Sequence, residues 1–135
     1  MVHALQEARR ILADQGVLVD VRPVVSPIVV DVVIASQSVW TRDIATFSSP
    51  EDIAAADSAV QHSLSLNWFS YEKSISFDFD IYCDTAAELD SYVNARKLRG
   101  EEIPYDDLEA RLREFEPDSR LRCRRRWMLS TYRKK

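Results

Sequence analysis

The sequence predicts an α/β (or α+β) domain, with helices packed on a mixed sheet and a β-hairpin added to it. Three observations predict it. Glu7 to Pro23 joins an amphipathic helix to a short apolar strand through Gly16. Ile28 to Ile34 and Val39 to Ile44 are two strand-like runs with a short polar link between them. Tyr71 to Cys83 and Arg120 to Tyr132 alternate with period two, and helical patterns precede and separate them.

In the opening unit, Ala4, Leu5, Ala8, Ile11 and Leu12 recur at three- and four-residue spacing and mark one helix face. Gly16 stands where a helix end favours a residue with positive φ. Val17 to Val21 is almost wholly apolar, which predicts a strand buried on both faces. Pro23 and Pro27 then interrupt any ladder. The hairpin Ile28–Ile34 with Val39–Ile44 lacks an Asn-Gly turn.

Ser49, Pro50, Glu51 and Asp52 combine a capping serine, proline at the first helical position and acids in the first turn. The helix they start runs to about Leu66 and buries Ile53, Ala56, Val60 and Leu64; His62 falls outside that stripe. On the next strand Ile75, Phe77, Phe79 and Ile81 share one face, and Ser76, Asp78, Asp80 and Tyr82 the other. Asp84, Thr85 and Glu88 supply capping-box chemistry for a helix facing inward with Leu89, Tyr92 and Val93. After Gly100, a helix from Pro104 to Phe115 presents Leu108, Leu112 and Phe115, and Pro117 ends it.

With 135 residues, 46% hydrophobic and 30% charged, the chain reads as one soluble domain spanning 1–135. No apolar run approaches the roughly 20 residues of a membrane span, and residues 1–15 have no signal-peptide pattern. Cys83 and Cys123 form no disulfide framework, which predicts a cytoplasmic location. Net charge is −4, yet residues 120–135 hold eight basic residues and no acid. The other ten basic residues and all 22 acids give the remaining chain a balance of −12.

That basic segment has two readings. Its arginines could meet phosphates of a nucleic acid. Alternatively, Arg124 and Arg126 lie opposite Asp78 and Asp80 if the strands pair antiparallel, which is the favoured reading. Asp78 and Asp80 also have the spacing of an acid–base pair, although a salt-bridged face explains them as well. His3, His62, Cys83 and Cys123 lack metal-ligand spacing, so no metal is expected. Both cysteines fall on apolar strand faces, where a thiol is inert. Trp40, Trp68 and Trp127 read as core residues.

The stretch EARRIL, the turn containing Gly16 and the strand GVLVDVRP resemble the fourth crossover and fifth strand of class I (Rossmann-like) S-adenosylmethionine-dependent methyltransferases. The later layout is similar over nearly the whole chain, although motif-like detail is confined to Glu7–Pro23. The resemblance implies half of a methyltransferase-like fold, with an antiparallel C-terminal strand inserted between the fifth and sixth strands. In that family the cofactor sits on a glycine-rich loop. This chain has two glycines, Gly16 and Gly100, and no G-x-G pattern, so no cofactor is expected.

The expected role is therefore non-catalytic: association as a homodimer or as companion to a separate chain. One alternative is a small-ligand site or enzyme pocket near Asp20, Arg22, Tyr82 and Trp127. The other is nucleic-acid binding through the arginines.

Overall fold

Helices and strands follow one another along the chain in the order α1 (Val2–Ile11), β1 (Val17–Pro23), β2 (Ile28–Ile34), β3 (Gln37–Ile44), α2 (Pro50–Ser65), β4 (Phe69–Cys83), α3 (Ala86–Ala95), α4 (Tyr105–Glu114) and β5 (Ser119–Lys134). The computed structural model describes residues 2–44, 50–95, 104–115 and 117–135. Ser49, the expected cap of α2, and Gly100 lie outside them, as does the side chain of Val93. Among the described residues the fold is α+β: four helices and a five-stranded sheet ordered β1-β5-β2-β3, with β4 also paired to β5.

The sheet is antiparallel throughout rather than mixed. The cause is the position of β5. It lies between β1 and β4, so those two strands never meet directly and no parallel pair arises. The chain gathers into two compact units, through both of which β4 and β5 run. The first comprises Met1–Val25, Ser48–Phe77 and Trp127–Lys135; the second comprises Ser26–Phe47 and Asp78–Arg126.

In the second unit β2 pairs with β3 on one side and β5 on the other. That central position explains its apolar run: Ile28, Val30, Val32 and Val33 are buried. Ala35 and Ser36 both take positive φ, 47° and 71°, and close the hairpin in a two-residue turn without glycine. Leu89 of α3 and Leu108 and Leu112 of α4 pack with Val30, Val32, Leu121 and Cys123 as one core. The capping box of α3 forms: Glu88 N–H donates to Thr85 Oγ1 at 3.1 Å and Asp84 N–H to Glu88 Oε2 at 2.8 Å.

The first unit has a thinner core. Val60, Phe69 and Tyr132 are buried, with Leu5, Leu12, Leu18, Leu64 and Trp68 packed against them. Among the described residues, Leu5 of α1, Leu12 just after it, and Val60 and Leu64 of α2 pack on the strand face that carries Leu18 and Tyr132. β1 is consequently not buried on both faces, contrary to its composition. Val17, Val19 and Val21 are 40%, 53% and 45% exposed, and the alternate residues Leu18, Asp20 and Arg22 turn towards the helices and are half-buried. The apolar residues that β4 contributes here are likewise uncovered, with Ile75 at 55% and Phe77 at 37%; in the second unit Phe79 is 50% exposed, while Ile81 packs against the core. Alternation shows which residues share a face, but a face is buried only if another element covers it.

The end of α1 also differs from expectation. Gln15, not Gly16, takes the left-handed conformation, at φ 62°. Gly16 is needed for closeness instead: a Cβ there would stand 2.8 Å from the Ala13 carbonyl oxygen.

Candidate functional site

The arginine row of β5 is occupied by carboxylates. In the second unit Arg126 Nε donates to Asp78 at 3.0 Å and Arg124 Nε to Asp80 at 3.3 Å, as the spacing predicts. Arg120 pairs with Asp84 at 2.5 Å. In the first unit Arg133 pairs with Glu72, and Lys134 Nζ donates to the Leu12 carbonyl at 2.6 Å. Most of these groups are well exposed, so each pair contributes little to stability. Their consequence is electrostatic: the row is neutralised along its length.

One carboxylate differs. Asp31, in the middle of β2, is 2% exposed and accepts hydrogen bonds from Thr41 Oγ1 at 2.7 Å and Ser38 Oγ at 3.2 Å. Arg122 grips its Oδ2 with Nε at 2.9 Å and Nη2 at 2.7 Å. Burial alone would raise its pKa. The Thr41 bond, the Arg122 guanidinium and the Ser38 bond together outweigh burial and hold it below the usual carboxylate range. All the partners are present, so this is a buttress joining β2, β3 and β5. Sequence reading missed it, although a lone acid inside IVVDVVI was the available signal, since a buried charge must be paired.

Of the four residues expected to share a pocket, Asp20 and Arg22 come together. Arg22 Nη2 lies 2.8 Å from Asp20 Oδ2. Tyr82 belongs to the second unit, where its ring lies under the Arg120 guanidinium, 5.6 Å from ring centroid to carbon. Trp127 pairs with Pro23 across β1 and β5 and, by alternation, faces away from Met128 and Arg22.

Arg22 instead lines a cavity of about 440 Å³ within the first unit, together with Asp57 and Gln61 of α2 and Tyr71, Ser74 and Tyr132 of the strands. Arg22 Nη1 stands 2.8 Å from Asp57 Oδ1 as an ion pair, without hydrogen-bond alignment, and Nε is buried with no acceptor among the described residues. Val60, Leu64 and Met128 make the apolar wall. Asp57 and Tyr71 were not anticipated, because only folding brings α2 over β4.

Cys83 and Cys123 are buried free thiols. Burial, with the neighbouring Cys83 second, pushes Cys123 up to about 12; burial, then Glu88, raises Cys83. The thiolate is the reactive form, so neither should attack a disulfide reagent at mildly alkaline pH while the chain is folded. In denaturant both thiols should react. Rapid labelling of the native protein would contradict the burial described. Among the described residues no group of three His, Cys, Asp or Glu is placed to hold a metal ion, and no helix is long and apolar enough to cross a membrane.

The remaining feature is the uncovered sheet face of the first unit. β1 pairs Val21 with Leu129 and Val19 with Thr131, so these residues share a face. Tyr71 and Ser74 both line the cavity with Met128 and Ser130, so the alternation of β4 shifts between them; from Ser74 onward Ile75 and Phe77 fall on the open side with Leu129. β1 also has no strand on its outer side among the described residues.

The class defined by this architecture is an α+β protein with an antiparallel five-stranded sheet. Known protein families, curated proteins and solved structures contain no match to the chain.

Proposed function

We propose that the chain acts by association, with the open sheet face of the first unit as the contact surface and a second copy as its occupant. The observation that carries this reading is the cluster of Val17, Val19, Val21, Ile75 and Phe77, all more than a third exposed on one face. Exposed apolar patches of that kind mark interaction surfaces. None of these side chains is charged, so two copies can meet there without like-charge repulsion, as a two-fold contact requires.

Size argues for a reversible dimer. Seven residues of β1 at about 3.3 Å each, across three strands about 4.8 Å apart, span roughly 23 by 14 Å. That plane, on the order of 320 Å² per copy before corrugation, falls short of the roughly 800 Å² per partner of a standard stable interface. A micromolar dimer is the expected outcome.

The order β1-β5-β4, with the last strand between the other two and antiparallel to both, also fits the methyltransferase-like half-fold implied by GVLVDVRP. In this reading the role is non-catalytic and the glycine-loop cofactor has no place. Nucleic-acid binding is less well supported, because carboxylates hold Arg120, Arg122, Arg124, Arg126 and Arg133.

Sedimentation across the micromolar range is the test. The protein should dimerise, and Val19→Lys with Ile75→Lys should weaken the dimer by roughly a hundredfold, about 2.7 kcal/mol, with an unchanged circular dichroism spectrum. A wild-type monomer throughout that range would refute the reading, and so would a dimer indifferent to both lysines.

A further inference from the structure

We infer that the cavity of the first unit is a binding site for a small zwitterion, namely an α-amino acid with a large apolar side chain. The site is independent of the open sheet face, because its lining is the helix-covered side of the strands.

Charge selects the ligand class. Arg22 carries one positive charge against the two negative charges of Asp20 and Asp57, so the cluster is net −1. A simple carboxylate would take it to −2 in a half-buried position, which is unfavourable. A simple amine would neutralise it, but would leave the buried Nε of Arg22 without the acceptor it lacks. A zwitterion avoids both penalties: it leaves the cluster at −1 rather than −2, with its ammonium facing Asp57 and its carboxylate accepting from Arg22.

Asp57 can turn to such a ligand at little cost. Its side chain is 57% exposed, and its pairing with Arg22 is not aligned as a hydrogen bond. The rest of the cavity selects an apolar body. Val60, Leu64 and Met128 form one wall. Tyr71 and Tyr132, with ring centroids 5.9 Å apart in edge-to-face geometry, offer aromatic surface. The volume of about 440 Å³ lies towards the lower end of the roughly 300–1,000 Å³ range of small-molecule sites. That room favours a bulky side chain over a small one.

Titration calorimetry of the full-length protein distinguishes the alternatives, with L-phenylalanine, phenethylamine and 3-phenylpropionate as probes. L-Phenylalanine should bind saturably, and each half-ligand at least tenfold more weakly. Asp57→Asn and Arg22→Met should each weaken L-phenylalanine at least tenfold. Asp57 is exposed, so the Asp57→Asn protein should melt like wild type and keep the test valid even if Arg22→Met is poorly folded. The inference fails if no saturable heat appears at millimolar L-phenylalanine. It also fails if either half-ligand binds as tightly, or if Asp57→Asn leaves affinity unchanged. Oligomeric state does not enter these readouts, so they stand or fall separately from the dimer.

Discussion

Asp31→Ala should destabilise the second unit by about 3–5 kcal/mol, the usual cost of removing one partner from a buried ion pair. Four residues lose an acceptor together: Arg122, Thr41, Ser38 and, at 3.3 Å, Arg124. The Arg122 side chain is only 12% exposed, so its charge would remain largely out of water without a matching carboxylate. Urea unfolding of wild type and variant measures the difference, and a loss below about 1 kcal/mol would show that water reaches the site.

The same residue predicts a pH dependence. Its folded pKa lies below the unfolded value, so the stabilisation is fully present above the unfolded pKa of about 3.9 and is lost as pH falls through the folded one. The gap between wild type and Asp31→Asn should therefore be constant near neutrality and close below about pH 4. A constant gap down to lower pH would mean that the pKa is not depressed.

Phe69→Ala should cost about 3–5 kcal/mol in the first unit. Phe69 is 2% exposed, and among the described residues it forms a core with buried Val60 and Tyr132 and half-buried Leu5, Leu12, Leu18, Leu64 and Trp68. Total stability is commonly about 5–15 kcal/mol, so the loss is a large fraction of what holds this unit. Denaturant midpoints measured with an unchanged slope would report it, and a shift worth less than about 1 kcal/mol would mean that this core is not what holds the unit together.

Local chemistry was enough to read much of the chain. The start of α2 at Pro50, the Thr85–Glu88 box, the inward Leu108 and Leu112, and the pairing of Asp78 and Asp80 with Arg126 and Arg124 all follow from short-range spacing. Each depends on residues a turn apart, or on two rows of opposite sign that had one sensible way to meet. By itself the sequence determined the elements, their faces and the partners of Arg124 and Arg126.

Coverage was decided by tertiary structure alone. The Val-rich β1 and the Val-rich β2 look equally buried as strings of letters, yet β2 lies between two strands beneath helices and β1 lies at an edge with one face open. The same holds for Asp31, Asp57 and Arg22. Their partners stand 91 residues away for Asp31 and 35 for Arg22, and no local pattern records such distances. Periodicity sets which way a side chain points within its own strand or helix. What it meets there depends on which distant element folds over it, and that is a property of the whole chain.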